Sequence, residues 1–361
     1  MVINVKVIGN MNKKYDLDNF TLVPAEISEI DSRSQCDPTI GGWLPIFAAP
    51  MGAVVDDKNW KVFADNKIQA VVPRTIPLEI RMELCEFTFV SLSLSEFTEF
   101  VEHNAMLLVN HYICVDLANG HMKSLIDICS KAKDKFGDRL ILMSGNIANP
   151  RTYYYYAKAG IEYVRVSIGS GNCCTTGANT AVFYPMGSLL EEIVEIKKEV
   201  SKYPDIYRTV PKIVADGGFN SFDRIIKALA LGADYVMIGK LFAECEEACG
   251  EIYSQYKAHS LWTEEEKKHL IYGNEGYHLR LRDYYGMSTK HAQKLTGRST
   301  LHTAEGIRKY VYVDKTLAQW VENFTDYLKS AMSYTNSFVL DQFKQCKKVF
   351  ITEAARRSYY K

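Results

Sequence analysis

The alternation of apolar and amphipathic segments constrains the fold of this chain more than any other feature. Short runs rich in Val, Ile and Tyr are separated by longer amphipathic stretches over most of the 361 residues. These runs predict eight strands, at 45–50, 69–74, 87–94, 112–117, 140–147, 163–169, 212–218 and 235–239. Strands joined by helices pair in parallel, so the chain is predicted to be an α/β protein. Eight such units favour a (β/α)8 TIM barrel, and a doubly wound open sheet is the competing architecture.

Two of the intervening segments carry recognisable helix ends. Segment 188–203 opens with Ser188 and Glu191, the spacing of a capping box, and repeats its apolar residues at helical intervals. Segment 221–234 has a serine at its start and Gly232 near its end, the usual punctuation of a short helix.

The pattern changes after Gly250. Residues 251–312 are aromatic and charged and do not repeat the strand-helix unit. We expect them to form a C-terminal flap or lid, an excursion within one TIM-barrel catalytic domain that spans 1–361. A further helix is predicted over residues 314–336.

Charge and composition narrow the class of protein. The chain has 43 basic and 43 acidic residues, and this balance argues against a nucleic-acid or membrane-surface partner. No apolar run approaches the roughly 18 residues of a membrane span, and the start of the chain lacks the pattern of a signal peptide. The nine cysteines have no framework spacing, which predicts a reducing, cytoplasmic setting.

The segment "SIGSGNCCTTGANT", at 167–180, places Cys173 and Cys174 after a Gly-x-Gly turn. A bridge between adjacent cysteines is strained, and a zinc site needs a second ligand pair that Cys245 and Cys249 do not complete. Three interpretations stay open. A loop thiol is a nucleophile once ionised, successive loop carbonyls bind a monovalent cation, and a cysteine also serves as a small apolar packing residue.

Two glycine-bearing strand ends lie late in the chain, in "ADGGFNS" and "MIGKLF". In barrels, the loops after strands seven and eight commonly bind phosphate through backbone N–H groups. Gly217, Gly218 and Gly239 would allow this close approach. Asp216 would repel phosphate, but its carboxylate suits ribose hydroxyls. The alternative is a pair of tight turns beside a buried aspartate.

Several motifs, in the same order, resemble the IMP dehydrogenase and GMP reductase family. The Cys segment "GSGNCCTTGANTAVFYP" is similar to the family's catalytic loop, and "ADGGFNSFDRIIKALALGADYVMIGKLF" to its phosphate-binding strands. "YYGMSTKHAQK" is similar to its base-binding segment, and "DNFTLVPAEISEIDSRS" and "LPIFAAPMGAVVD" to its opening. The resemblance runs from about residue 15 to 350 with one insertion.

Three features place the resemblance closer to GMP reductase. "CVDLANGH" is similar to the reductase pattern, and no CBS regulatory domain follows the second strand. The stretch from Met287 to Glu305 is short and lacks the Arg-Tyr pair with which the dehydrogenase activates water.

The resemblance implies NADPH-dependent reductive deamination of GMP, or of a related purine nucleotide, to IMP and ammonia. Cys174 would attack C2 of the purine to form a thioimidate. Thr176 and Glu305 would relay the proton that lets ammonia leave. The family is also typically a homotetramer.

The same resemblance assigns binding residues. The nucleotide would be held by Asp216, Gly217, Gly218, Gly239, Lys240, Gly286, Met287, Ser288, His302, Thr303, Ala304 and Gly306. The cofactor would be held by Ser32, Arg33, Arg74, Asp116, Leu117, Ala118, Ile168, Gly169, Ser330, Ala331, Met332 and Ser333. A potassium ion would be held by carbonyls of Gly169, Gly171 and Cys174.

The chain also departs from the family pattern. Gly177 stands where the family has arginine, and Arg74 where the reductase has lysine. The family's Arg-Ala-Ser-Glu-Gly segment reads His-Thr-Ala-Glu-Gly at 302–306, and the insertion around 253–280 is unlike either enzyme. These departures leave room for an altered purine substrate. An IMP dehydrogenase with a truncated flap, oxidising IMP to XMP with NAD, and a non-catalytic purine-nucleotide-binding protein are the alternatives.

Overall fold

A closed barrel of eight parallel strands organises the protein. The computed structural model describes residues 13–256, 262–273, 276–296 and 303–359. A short strand, β1 (Phe20–Leu22), precedes the barrel. The barrel strands are β2 (Ile46–Ala48), β3 (Gln69–Val72), β4 (Phe89–Leu92), β5 (His111–Asp116), β6 (Leu140–Ile147), β7 (Tyr163–Val166), β8 (Lys212–Asp216) and β9 (Tyr235–Ile238). All eight predicted strands are confirmed. The pairing of β2 with β9, which places Ile46 opposite Val236, closes the barrel and rules out the open sheet.

Helices alternate with these strands, as the TIM barrel requires. They are α1 (Trp60–Asp65), α2 (Leu78–Leu84), α3 (Leu94–His103), α4 (Lys123–Phe136), α5 (Thr152–Ala159), α6 (Thr176–Thr180), α7 (Met186–Val200), α8 (Phe222–Ala230) and α9 (Lys240–Ala243). The helix predicted at 221–234 is confirmed by α8, which begins after Ser221. Gly232, with φ +107°, turns the chain toward β9.

The predicted capping box at Ser188 is wrong. Helix α7 begins two residues earlier, at Met186, directly after Pro185. The Ser188 side chain is buried, and its hydroxyl accepts the backbone N–H of Tyr15 at 2.9 Å. The segment around Tyr15 therefore crosses the first turn of α7 and occupies the hydroxyl that the sequence pattern assigned to a cap.

The barrel interior is aromatic at one end and polar at the other. Phe47 lies at the centre of the aromatic end, with its ring centroid 5.1 Å from Tyr235, 5.7 Å from Phe89 and 5.8 Å from Tyr163. Strand side chains alternate, so two residues further along β7 the next inward side chain is Arg165. The rings close the N-terminal end of the barrel, and the polar C-terminal end is left open for a site.

Residues after the barrel form an antiparallel sheet beside its C-terminal end. Its elements are β10 (Ile252–Tyr256), α10 (Glu264–Lys267), β11 (Ile271–Gly273), β12 (Gly276–Tyr285), α11 (Lys290–Leu295) and β13 (Arg308–Tyr312). Strand β12 pairs with the three others. Arg282 on β12 is buried and donates to the carbonyls of Ala243 at 2.7 Å and Cys245 at 2.5 Å. This contact docks the sheet on the segment that follows β9.

The C-terminal region returns to the barrel. The predicted helix at 314–336 is confirmed by α12 (Leu317–Tyr334). It is followed by α13 (Leu340–Phe343), β14 (Lys348–Phe350) and α14 (Glu353–Tyr359). Strand β14 pairs with β1. Among the described residues, every helix is too short or too polar to cross a membrane.

Candidate active site

The open end of the barrel forms a cleft of about 560 Å³. Its walls are the loops after the barrel strands and the ends of β12 and α11. The predicted site residues that line it are Arg74, Asp116, Leu117, Ala118, Ile168, Gly169, Gly171, Cys174, Thr176, Asp216, Gly217, Gly218, Gly239, Lys240, Gly286, Met287, Ser288, Thr303 and Glu305. Barrel closure thus brings most of the predicted set to one place.

A continuous hydrogen-bonded row runs from the loop after β7 to the far side of the cleft. Cys174 Sγ lies 3.3 Å from Thr176 Oγ1, and Thr176 donates to Glu305 Oε2 at 2.6 Å. The thiol is partly exposed at the cleft surface. The carboxylate can accept a proton from the thiol through the hydroxyl, because each group is within hydrogen-bond reach of the next.

Backbone pairing holds Glu305 in this row although it is distant in sequence. The N–H of Thr175 donates to the Glu305 carbonyl at 2.9 Å, and the N–H of Ile307 donates to the Cys173 carbonyl at 2.9 Å. A side chain on Gly306 would meet Ser288 Oγ at 2.9 Å and the Cys173 carbonyl at 3.0 Å. Glycine therefore allows the two segments to approach closely enough for the row to form.

The two adjacent cysteines have different surroundings. Cys173 is 4% exposed, and burial raises the pKa of its thiol to about 11 although Lys309 partly opposes this. It packs in the core as a neutral thiol, and it is not bonded to Cys174. Both cysteines line the cleft, but of the two thiols it is that of Cys174 that lies in a row with a hydroxyl and a carboxylate.

A buried arginine that the sequence analysis did not select lies under the cleft. Arg165 on β7 donates to Asp116 Oδ1 at 2.5 Å and to Asp216 Oδ2 at 2.7 Å and 3.0 Å. Asn146 also donates to Asp216 Oδ2, at 2.7 Å. Burial opposes ionisation of Asp116, but Arg165 and Arg74 outweigh it and hold the pKa of that carboxyl below its usual value.

The sequence did contain a signal for this residue. Arg165 is a charged residue in the middle of an otherwise apolar strand, "YVRVSIG". A buried charge is costly unless it is paired, so such a residue predicts acidic partners on neighbouring strands. Asp116 and Asp216 end two of the other barrel strands, where they can meet it.

The first predicted phosphate loop approaches the Cys loop through glycine. A side chain on Gly217 would lie 2.9 Å from Ser170 Oγ and 3.2 Å from the Gly171 nitrogen, and its φ of +94° also favours glycine. A side chain on Gly239 would lie 2.7 Å from Met51 Sδ, in the loop after β2. Lys240 follows Gly239 at the cleft wall, where its ammonium pairs with Glu244 Oε1 at 2.9 Å.

Other predicted residues do not line the cleft. Arg33 pairs with Asp326 at 2.8 Å and donates to Ser330 Oγ at 3.4 Å. Ser32 is the N-cap of the 3₁₀ helix Arg33–Gln35. Ser330, Ala331, Met332 and Ser333 lie at the end of α12. This places them away from the cleft-lining residues of the same chain. Ala304 and Gly306 flank Glu305 without lining the cleft. His302 lies outside the described residues.

In the loop predicted to bind potassium, one of the three carbonyl oxygens already accepts a hydrogen bond. The Gly171 carbonyl accepts the N–H of Cys174 at 2.8 Å, which leaves its second lone pair. Gly177 packs closely against Gly169. A Cβ atom added at Gly169 would lie 3.2 Å from the Gly177 nitrogen. Within the described ranges, no group of three His, Cys, Asp or Glu side chains is arranged to hold a metal ion.

Comparison with known proteins gives a consistent result. The IMP dehydrogenase / GMP reductase domain matches residues 90–358. GMP reductase of Oceanobacillus iheyensis is 26% identical over 355 residues, which cover 94% of this chain and 97% of that protein. GMP reductase of Staphylococcus aureus is 30% identical over 253 residues, 66% of this chain and 74% of that protein. GMP reductase of an Exiguobacterium species is 26% identical over 356 residues, 94% of this chain and 97% of that protein.

Proposed function

The chain belongs to the IMP dehydrogenase / GMP reductase family of oxidoreductases, and we propose that it reductively deaminates GMP or a related purine nucleotide. The products would be IMP and ammonia, with NADPH as the reductant. The observation that carries the proposal is the row Cys174–Thr176–Glu305, with distances of 3.3 Å and 2.6 Å. It supplies a nucleophile and a proton acceptor on one side of a cleft large enough for a nucleotide.

The proposed steps use this row twice. The Cys174 thiol passes its proton through Thr176 to Glu305, and the sulfur adds to C2 of the purine. Glu305 then returns a proton through Thr176 to the exocyclic amine, which leaves as ammonia and gives a thioimidate on Cys174. NADPH, when bound, would supply the hydride that C2 accepts. The bond from C2 to sulfur would then break as IMP forms, and the Cys174 thiolate would take a proton from solvent to regain its first state.

The cleft residues fit the two ligands. Asp216, held by Arg165 and Asn146, would accept hydrogen bonds from ribose hydroxyls. The N–H groups after β8 and β9 and the Lys240 ammonium would bind phosphate. The cofactor is proposed to meet Arg74 and the Asp116 end of β5. Among the described residues, Arg74 Nε has no hydrogen-bond partner although it is buried in the cleft wall, which supports a ligand there.

The assignments outside the cleft and at the Cys loop carbonyls are also proposals. The cofactor assignments at Ser32, Arg33 and 330–333 would require this surface to face the cleft of another subunit of a homotetramer. A potassium ion would use the free carbonyl lone pairs of Gly169, Gly171 and Cys174. We also propose that 251–312 is a flap within one TIM-barrel catalytic domain that spans 1–361.

The activity is tested by following the nicotinamide absorbance with both substrate pairs. We expect NADPH to be oxidised with GMP, with one ammonia released per hydride transferred, and no reduction of NAD with IMP. A panel of purine monophosphates then identifies the preferred base. Reduction of NAD with IMP would instead assign a dehydrogenase, and binding without turnover would assign a non-catalytic nucleotide-binding protein.

Variants test the row itself. Cys174→Ala is expected to lose turnover by at least about 10³-fold, because the proposed steps need its thiol as the nucleophile. Glu305→Gln is expected to lose about 10²-fold or more, the usual contribution of a general acid-base group. Cys346→Ala, at a partly buried cysteine beyond α13, is the matched control and should keep wild-type turnover. Turnover retained in Cys174→Ala would overturn the mechanism.

A further inference from the structure

One carboxylate at the end of α9 serves two lysines. Glu244 Oε1 accepts from Lys240 Nζ at 2.9 Å, and Glu244 Oε2 accepts from Lys315 Nζ at 3.0 Å. The Glu244 side chain is only 13% exposed. Of the two lysines, Lys240 lines the cleft, whereas Lys315 lies behind it at the start of the segment that leads into α12.

Lys315 is held in place independently of Lys240. Its carbonyl accepts the N–H of Glu246 at 2.9 Å, and the N–H of Asp314 donates to the Glu244 carbonyl at 3.3 Å. Its ammonium also lies 3.3 Å from Asp314 Oδ1. Burial acts to lower the pKa of Lys315, but Glu244 and Asp314 outweigh it and raise that pKa above its usual value. Lys315 therefore remains a cation beside Glu244 whatever Lys240 does.

Asp314, the second carboxylate beside Lys315, contacts the insertion. Asp314 Oδ2 lies 2.5 Å from His269 Nδ1, and the His269 ring stacks on Tyr312 with centroids 4.2 Å apart. His269 lies between α10 and β11, in the part of the chain that departs from the family pattern. The insertion thus supports Asp314 and, through it, Lys315.

We propose that Lys315 is a positioning residue for phosphate recognition. Lys315 stays ion-paired with Glu244 when the Lys240 ammonium turns from that carboxylate to the phosphate of the nucleotide. The inference rests on the proposed function, in which Lys240 binds phosphate. Leaving a largely buried carboxylate without its last cationic partner costs free energy, because its charge is then unpaired. Because Lys315 keeps Glu244 paired, Lys240 can exchange one anion for another without leaving an unpaired charge behind.

The proposal predicts an unusual dependence between two substitutions. In Lys315→Met, Lys240 is the one cationic partner left to Glu244 among the described residues, so phosphate must compete with the carboxylate for it. The dissociation constant for GMP is expected to rise about tenfold, while that for guanosine, which lacks phosphate, is unchanged. In Glu244→Gln the carboxylate that competes with phosphate for Lys240 is absent. This variant is expected to bind GMP at least as tightly as the wild type does. The double variant should bind GMP like Glu244→Gln.

The experiment is a calorimetric titration of the full chain with GMP and with guanosine, without cofactor. Lys315→Arg keeps the cation and should bind like the wild type. Lys267→Met, which removes a surface lysine paired with Glu264 on the insertion, is the matched control. Thermal unfolding of each variant checks that it is folded.

The outcomes separate this inference from the proposed function. A Lys315→Met protein that binds GMP as tightly as the wild type overturns the inference alone. Equal losses for GMP and guanosine, or a double variant no tighter than Lys315→Met, also overturn it because they indicate a structural role. A wild-type protein that binds no purine monophosphate overturns both.

Discussion

At the scale of single residues, burial distinguishes groups of the same chemical type. Cys173 and Cys174 are adjacent, yet one thiol is enclosed in the core and the other faces Thr176 at the cleft. Arg165 shows the same principle for charge. Its guanidinium is buried and forms ion pairs with both Asp116 and Asp216, which offsets the cost of burying the charges.

Replacing Arg165 by methionine would leave two buried carboxylates without their shared cation. We expect Arg165→Met to lower the free energy of unfolding at neutral pH by about 3 to 5 kcal/mol, as for other broken buried ion pairs. Urea denaturation measures this loss. Arg33→Met removes an exposed arginine paired with Asp326 and should cost less than about 1 kcal/mol. Similar small losses in both variants would contradict the role assigned to Arg165.

At the scale of elements, contacts between distant segments set where elements begin and how they dock. The Tyr15 segment takes the Ser188 hydroxyl, and the start of α7 follows from Pro185 instead. Asp234 likewise joins three elements. It accepts the N–H of Ile213 on β8 at 2.7 Å and pairs with Lys197 on α7 at 2.5 Å and with Lys344 after α13 at 3.2 Å.

This junction predicts a pH dependence of stability. Burial opposes ionisation of Asp234, but Lys197 and Lys344 outweigh it and lower the pKa of its carboxyl. A lowered folded-state pKa contributes stability above the unfolded value of about 4, and that stability is lost as the pH falls through the folded value. Asp234→Asn should therefore cost about 2 kcal/mol at neutral pH. The difference from wild type should shrink below about pH 4.

Urea unfolding of both proteins across this pH range measures the effect. Asp205→Asn, at an exposed aspartate in the loop after α7, is the control and should follow the wild-type curve. A gap between wild type and Asp234→Asn that stays constant with pH would show that ionisation of Asp234 is not the cause.

At the scale of the whole molecule, closure of the barrel separates an aromatic end from the polar end that carries the proposed active site. The ring cluster around Phe47 fills the N-terminal end of the barrel, and the charged groups around Arg165 line the C-terminal end. The same eight strands support both ends because inward positions alternate along each strand. Stability and chemistry can then be altered at different residues.

Shortening Phe47 tests this separation. Phe47→Leu removes part of the central ring contact and should lower the free energy of unfolding by about 1 to 3 kcal/mol. Nucleotide turnover per folded molecule should be kept, because the substitution lies at the end opposite the cleft. Phe87→Leu, at a side chain that is 68% exposed, should change stability by less than about 0.5 kcal/mol. A loss of turnover that matches the loss of stability in Phe47→Leu would argue against independent ends.

The positions of the eight strands, the α8 helix and the Cys loop could be predicted from the sequence alone. Each depends on local information, either the hydrophobic period of a short segment or a contiguous motif. Most of the residues that the family resemblance assigned to the site line the cleft, because its motifs sit at strand ends that a barrel gathers together.

Only the tertiary structure decided which of these groups meet. Glu305 reaches Thr176 across 129 residues because the segment that carries it pairs with the Cys loop. Arg165 joins two aspartates, and Glu244 is shared by Lys240 and Lys315, since strand order and sheet docking bring them into contact. Arg33 and Ser330 lie together but outside the cleft. Such pairings arise from closure of the chain on itself, and the spacing along the sequence does not record them.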